Sequence, residues 1–172
     1  MKALKWCIHL CLLFAVCSCT TCVDKFEPSS YIGTRISMPR EVKILSKAPY
    51  RIFILLDLVT CPSCELKSLH FWDYDLAHFY ELNKDKLCLD IIVVVNTERN
   101  DEIDSALSRI NTIFPIKTYY DVKEEFSSRF TPPVENQYHC FLVDKSDRIL
   151  LIGYPYMSKT LSEKYTLAIF GE

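Results

Sequence analysis

Long apolar runs and stretches of helical spacing alternate through the middle of the chain. Arg51 to Val59 (RIFILLDLV) and Leu87 to Val95 (LCLDIIVVV) are almost continuously apolar and of strand length, as expected for strands that are covered on both faces. Between them, from Cys61 to Phe79, apolar residues recur every three or four positions, and Asn100 to Phe114 repeats this helical period. The pattern predicts the order strand, helix, strand, helix.

Shorter segments flank this central unit. A proline ends the second helix at Pro115, and Asp121 with Glu124 three residues later forms a capping-box-like start for a short helix that ends near Phe130. The turn Asp144-Lys145-Ser146-Asp147 joins two predicted strands, which are expected to form a hairpin. The remaining predicted segments are strands at Tyr31–Met38, Glu41–Leu45, Ile116–Tyr120, Tyr138–Val143 and Arg148–Ile152, and a final helix at Ser158–Phe170.

This order of elements predicts the fold class. Strand–helix–strand units with right-handed crossovers place their strands in parallel, whereas a closing hairpin adds antiparallel strands. The chain is therefore predicted to be an α/β protein, a three-layer sandwich around a mixed central sheet.

The N-terminus has the pattern of an export signal. Met1 to Lys5 is basic and is followed by the apolar run Trp6 to Val16, which is shorter than the roughly 20 residues that span a bilayer. The stretch Val16-Cys17-Ser18-Cys19 resembles a lipobox, so we expect a signal peptide at 1–18 and acylation of Cys19. An ordinary secretory signal or a short membrane anchor is the alternative.

The predicted signal peptide divides the chain into segments and implies where the mature protein is located. Residues 19–30 would be a lipid-anchored tether, and 31–172 would be one domain on the periplasmic side of the cell envelope. Removing Lys2 and Lys5 leaves 18 basic residues against 22 acidic ones, a net charge of −4. No basic stripe is visible in the sequence, so we expect no nucleic-acid partner.

The segment with the clearest chemistry is Cys61-Pro62-Ser63-Cys64, which lies between the first buried strand and its helix. A CxxC pair in this position indicates a redox motif, and in an exported protein it can exist as a disulfide. At a helix N-terminus the backbone N–H groups and the helix dipole lower the pKa of a thiol. We therefore expect Cys61 to attack a partner's disulfide and Cys64 to resolve the mixed disulfide.

These residues resemble the thioredoxin superfamily, and in particular its exported TlpA/ResA-like members. The resemblance is carried by the strand that ends at Thr60, by the CPSC motif and by Phe141 to Pro155 (FLVDKSDRILLIGYP). It implies a membrane-tethered thiol–disulfide oxidoreductase whose redox group is the Cys61–Cys64 disulfide, without another cofactor. It also implies an exported cysteine-containing protein as substrate and a membrane thiol reductase as electron donor.

Further residues are candidates for supporting roles. Asp57 is the ionisable residue within Ile52 to Val59, and it is either a proton-transfer group or a strand-end carboxylate that reaches solvent. Members of the family carry an aromatic residue where this chain has Thr60. Their cis-proline falls near Tyr138 here, so either Pro133 serves through a longer loop or the cis-proline is absent. Thr60, Pro133, Tyr138 and His139 are the candidate substrate-loop residues.

Two other functions remain open. The chain could be a non-catalytic binding module with a static disulfide, which Thr60 and the missing cis-proline favour. Cys61 and Cys64 with His139 could also hold Cu(I) or Zn, but no second cysteine pair supports this and we predict no metal. A peroxidase is less favoured because that class attacks with a lone cysteine. Cys88 and Cys140 are expected to be buried thiols that pack as small hydrophobes.

Overall fold

A computed structural model describes residues 28–56, 88–110, 114–133 and 135–171. These residues contain a five-stranded sheet and three α-helices. The strands are β1 (Tyr50–Leu56), β2 (Leu89–Val95), β3 (Ile116–Tyr120), β4 (Cys140–Val143) and β5 (Ile149–Ile152). The helices are α1 (Arg40–Leu45), α2 (Asp101–Ser108) and α3 (Lys159–Phe170), and short 3₁₀ helices occur at Pro28–Tyr31, Asn136–Tyr138 and Pro155–Met157.

The sheet is mixed, as predicted. Its strand order is β3-β2-β1-β4-β5. The three strands β1, β2 and β3 are parallel, whereas β4 runs antiparallel to β1 and β5 antiparallel to β4. In the centre of the sheet Ile54 lies between Val93 of β2 and Cys140 of β4. The parallel strands thus end at one edge of the sheet, where β4 begins.

Alternating side chains pack on the two faces of the sheet and form two separate cores. On the first face Ile54, Val93 and Leu142 pack with residues of α2 and α3. On the second face Phe53, Ile92 and Phe141 pack with α1 and with aromatic residues from the connection between β3 and β4. Because both faces are covered, the central strands β1, β2 and β4 are mostly apolar. The prediction of a three-layer α/β sandwich is confirmed.

The N-terminal segment differs from its predicted strands. Residues 31–38 form no strand: a turn follows the 3₁₀ helix Pro28–Tyr31, and Arg35 makes a single bridge to Arg148. The predicted strand Glu41–Leu45 is the helix α1, whose first turn is closed by a hydrogen bond from the Lys43 N–H to the Pro39 carbonyl. In so short a segment, one buried residue (Val42) fits either period, so the apolar pattern could not distinguish strand from helix.

The predicted helix from Asp121 to Phe130 is also wrong. This segment is a series of turns, and Glu124 has a φ of 54°, in the left-handed region that interrupts a right-handed helix. The Asp121 carboxylate accepts hydrogen bonds from the backbone N–H groups of Phe126 and Ser127. These donors lie five and six residues along the chain, beyond the reach of a helix N-cap.

The two longer helices have the predicted starts. The Asn100 side chain accepts from the Glu102 N–H at the start of α2, and Ser158 accepts from the Leu161 N–H at the start of α3. Helix α2 ends at Ser108, earlier than the predicted Phe114, and Gly171 ends α3 with a φ of 75°. Within the described ranges, no helix combines the length and apolarity that crossing a membrane requires.

Candidate functional site

A cavity of about 200 Å³ lies at the edge of the sheet where the parallel strands end. Strand β1 ends at Leu56, β2 is followed by Asn96, and β3 is followed by Asp121. In α/β sheets this edge is where ligands bind and chemistry takes place. The cavity is lined by Leu55, Leu56, Val94, Asn96, Asp121, Phe126, Ser127, Phe130, Pro132 and His139.

Aromatic packing on the second face builds the apolar wall of the cavity. Phe126 stacks on Phe53 of β1, with ring centroids 5.6 Å apart, and Phe53 stacks on Phe141 of β4 at 5.4 Å. Phe130 lies 4.9 Å from Phe141. Since Phe126 and Phe130 come from the turns after Asp121, the geometry of these turns decides the shape of the cavity.

Asp121 holds these turns in place. Besides the two backbone N–H groups, its carboxylate accepts hydrogen bonds from the hydroxyls of Ser127 (2.9 Å) and Tyr119 (3.3 Å). Burial alone would raise the pKa of Asp121, but these four hydrogen bonds together hold it below its usual range. Burial and the neighbouring Asp121 carboxylate raise the pKa of Tyr119 to about 12. Asp121 is therefore ionised, and its two carboxylate oxygens are occupied by the hydrogen bonds that hold these turns.

His139 also lines the cavity and lies directly before β4. Its backbone carbonyl accepts from the Leu55 N–H at 2.8 Å, which ties it to the end of β1. Its Nε2 lies 2.9 Å from the Pro133 carbonyl oxygen. A carbonyl only accepts, so Nε2 carries the proton and Nδ1 of the neutral ring is an acceptor. His139 is 8 % exposed, and Nδ1 has no hydrogen-bond partner in the described part of the chain.

The structure places the three predicted loop residues that it describes in one segment. Pro133 is buried and its carbonyl binds His139, while Tyr138 ends the 3₁₀ helix Asn136–Tyr138 and packs half-buried against the core of the second face. No peptide bond of the described residues is cis, so Pro133 is not a cis-proline. The other predicted site residues, Asp57, Thr60, Cys61, Cys64 and Cys19, lie outside the described residues.

Sequence reasoning missed Asp121 as part of this site and interpreted it as a helix cap. Its position directly after a predicted strand was an available signal, because the carboxyl ends of parallel strands meet at one edge. The contribution of Phe126 and Phe130 had no such signal, since it depends on turns that bring distant aromatic residues together.

Cys140 carries a buried thiol and is not among the residues that line the cavity. It is fully buried on the first face, forms no disulfide, and its Sγ lies 3.8 Å from the Tyr165 hydroxyl. Burial raises the pKa of the Cys140 thiol far above its usual range. The half-buried Cys88 packs against the same core. Cys140 is thus buried as expected, whereas Cys88 is only half-buried.

The described residues include no cluster of three or more histidine, cysteine, aspartate or glutamate side chains that could hold a metal ion. The alternative metal site of Cys61, Cys64 and His139 has two members outside the described ranges. His139 alone offers one buried nitrogen, which is insufficient for a protein metal site.

Comparison with solved structures identifies the fold. Peroxidoxin BcpB from Mycobacterium tuberculosis superposes with a TM-score of 0.51 at 13% identity, over 82% of this chain and 96% of that one. The thioredoxin domain of a thiol-disulfide oxidoreductase from Bacteroides vulgatus gives 0.49 at 18% identity, over 72% and 81%. A thioredoxin-like protein from Bacteroides caccae gives 0.48 at 14% identity, over 70% of this chain and 40% of that one.

At these identities the likeness concerns the fold alone. The chain has the thioredoxin-like fold, as the resemblance in its sequence implied. No family model matches the chain, and no curated protein does so either.

Proposed function

We propose that this protein is a thiol–disulfide oxidoreductase of the cell envelope that uses Cys61 and Cys64 as its redox pair. The observation that carries the proposal is the position of this pair in the chain. Cys61 follows the end of β1 by five residues, a stretch that spans at most about 17 Å. Strand β1 ends at the edge of the sheet at which the cavity, Pro133 and His139 lie, and this supports the proposal.

The chemistry of the pair follows from general thiol reactivity. The Cys61 thiolate attacks one sulfur of a partner's disulfide, a Cys61–partner bond forms, and the partner's other sulfur leaves as a thiolate. The Cys64 thiolate then attacks Cys61 Sγ, and this displaces the partner's second sulfur and closes the Cys61–Cys64 disulfide. The partner's disulfide is reduced by two electrons and the pair is oxidised.

The N-terminal sequence supports a location in the envelope as part of the same proposal. Residues 1–18 act as a signal peptide, and acylation of Cys19 attaches the chain to the membrane through the tether 19–30. An exported cysteine-containing protein is the substrate, and a membrane thiol reductase returns the pair to its dithiol form. This electron donor is required because each turnover leaves the pair oxidised.

Turnover of a protein disulfide tests the activity. With dithiothreitol as reductant, we expect the chain to accelerate insulin reduction at least tenfold over the uncatalysed rate. Cys61→Ser should abolish this acceleration. An unaccelerated rate together with a Cys61–Cys64 bond that resists dithiothreitol would instead identify a static disulfide in a binding module.

Trapping tests the roles of the two cysteines. Cys64→Ser removes the resolving thiol, so it should accumulate a mixed disulfide with substrate that is visible on a non-reducing gel. Cys61→Ser should form none. A stable adduct with Cys61→Ser and none with Cys64→Ser would reverse the assignment.

Lipid labelling tests the anchor. Cells that express the full chain should incorporate labelled palmitate into it, and Cys19→Ala should remove the label and release the protein from the membrane fraction. Labelling that persists in Cys19→Ala, with the protein still in the membrane fraction, would contradict the assignment of Cys19.

A further inference from the structure

The segment 31–38, here called the strap, lies along the outer edge of β5. Strand β5 is the last strand of the sheet and pairs with β4 on one side. On its other side the Gly33 N–H donates to the Ile149 carbonyl at 2.7 Å, and the Ile149 N–H donates to the Thr34 carbonyl at 2.9 Å. The strap therefore covers the edge of the sheet without forming a regular strand.

The strap also contacts the turns that follow β3. The ring of Tyr31 packs edge-on against Phe130, with centroids 6.0 Å apart, and the Tyr31 hydroxyl donates to the Thr131 carbonyl at 3.3 Å. Further along the strap, the buried side chains of Ile36 and Met38 belong to the same core as Phe130. One segment thus binds both the edge of β5 and the turns.

These turns (121–132) form one wall of the cavity. Phe126, Phe130 and Pro132 line the cavity, and the segment contains neither a regular helix nor a strand. Its shape therefore depends on two sets of contacts. The Asp121 carboxylate holds the turns from within, and Tyr31 of the strap holds them from outside.

The strap and the turns belong to the second face of the sheet. Among the described residues, the core of the first face includes no member of either segment. That core instead joins the sheet to α2 and α3. Irregular segments commonly open in cooperative units at a lower free energy than global unfolding. The two segments can therefore leave the sheet while its first face stays packed.

We infer that the strap and the turns open as one unit, so that release of the strap from β5 opens the wall of the cavity. While the strap is bound, the Tyr31 ring and hydroxyl hold Phe130 and Thr131 in place. Release of the strap withdraws both contacts at once. Because such coupling is reciprocal, loosening the turns also weakens the hold of the strap on β5.

Gly33 allows the strap to be weakened through its backbone. Its φ is 84°, in the left-handed region, and no atom lies within 4 Å of a Cβ added there. Gly33→Val therefore introduces backbone strain without a clash at Cβ, because a β-branched residue is unfavourable at this φ. Gly33→Asn is the matched control, since asparagine adds a side chain but tolerates the left-handed region.

Hydrogen exchange followed by mass spectrometry measures the opening. In the wild type we expect the protected amides of 31–38 and 121–131 to exchange at least about tenfold faster than those of 89–95 in β2, after correction for intrinsic rates. Gly33→Val should accelerate exchange in 31–38 and in 121–131 by the same factor, roughly tenfold. Gly33→Asn should change both by less than about threefold.

Asp121→Asn tests the coupling in the opposite direction. This variant removes the charged acceptor that holds the turns and leaves every residue of the strap in place. If the two segments open together, exchange in 31–38 should rise by the same factor as exchange in 121–131.

Three results would overturn the inference. Faster exchange in 31–38 alone in Gly33→Val, or in 121–131 alone in Asp121→Asn, would show that the two segments open separately. Equal exchange of 31–38, 121–131 and 89–95 in the wild type would mean that the wall opens only with global unfolding. Equal acceleration by Gly33→Asn and Gly33→Val would assign the effect to the added side chain instead of the backbone of the strap.

Discussion

The two ends of the sheet differ in how their buried polar groups are satisfied. Where β1 and β2 begin, Arg51 Nη2 lies 2.9 Å from Asp147 Oδ1, and Asp90 binds both Lys117 and Ser46. Where the parallel strands end, there is a cavity, and Nδ1 of the buried His139 has no partner in the described part of the chain.

The polar groups at the first end connect segments that are distant in sequence. Arg51 of β1 also donates to the Asp144 carbonyl, which ties it to the β4–β5 hairpin, and Asp90 of β2 joins β3 to the segment after α1. Arg51 Nε has no hydrogen-bond partner among the described residues, but the charge of this guanidinium is already paired with Asp147. Buried charges persist when they are paired in this way. The polar groups at the first end therefore join distant segments of the fold, whereas the second end holds the cavity.

The largest effect is expected from breaking the ion pair at the first end. Asp147→Asn keeps a residue that tolerates the φ of 63° at this position, but it leaves the buried Arg51 charge uncompensated. We expect the free energy of unfolding to fall by about 3 kcal/mol, measured by urea denaturation.

A second, weaker ion pair of the Asp147 carboxylate provides the control. Lys43 Nζ lies 3.6 Å from Asp147 Oδ2, and its side chain is 54 % exposed. Lys43→Ala should therefore lower the free energy of unfolding by less than about 1 kcal/mol. If both variants lost the same free energy of unfolding, the ion pair between Asp147 and Arg51 would contribute no more to stability than the one between Asp147 and Lys43.

Asp121→Asn should have the next largest effect, because it removes a charged acceptor from four hydrogen bonds. We expect a loss of about 2 kcal/mol in the free energy of unfolding at pH 7. The folded-state pKa of Asp121 is lowered, so its contribution is complete above the unfolded pKa near 4 and is lost as the pH falls through the folded value.

The pH dependence of this loss is the measurement. Urea denaturation of both proteins from pH 7 to pH 2 should show a difference that shrinks below about pH 4. A difference that is constant over this range would mean that the charge of Asp121 does not hold the turns.

The smallest effect is expected at Cys140, on the first face of the sheet. Its buried thiol has a raised pKa, so in the folded protein it should resist iodoacetamide, which requires a thiolate. Peptide mass spectrometry should find Cys140 alkylated only after denaturation. Insulin reduction by Cys140→Ala should equal that of the wild type per folded molecule, and a clear loss would implicate Cys140 in the redox chemistry.

The sequence predicted the elements that depend on a local signal. The apolar runs located β1 and β2, the residues Ile116–Tyr120 were predicted as β3 with its observed bounds, and Ser158 correctly marked the start of α3. For β1 and β2 the local pattern agrees with the tertiary environment, because buried parallel strands are apolar on both faces. For α3 the local signal is the N-cap, since the Ser158 side chain accepts from the Leu161 N–H.

The errors occur where tertiary contacts decide the local structure. Asp121 and Glu124 have the spacing of a helix cap, but the Asp121 carboxylate binds the N–H groups of Phe126 and Ser127 instead. Likewise His139 could be named from the sequence as a loop residue, but its unpaired nitrogen follows from the hydrogen bond to Pro133, six residues away. Such a contact leaves no periodic pattern in the sequence.

The proposed function requires Cys61 and Cys64 to form a working redox pair. The reduction potential of Cys61–Cys64, measured by equilibrating the full chain in dithiothreitol buffers, tests it most directly. We expect a value less negative than about −300 mV, which a membrane thiol reductase can reduce. A value more negative than about −300 mV, with no insulin reduction, would show a structural disulfide and contradict the account.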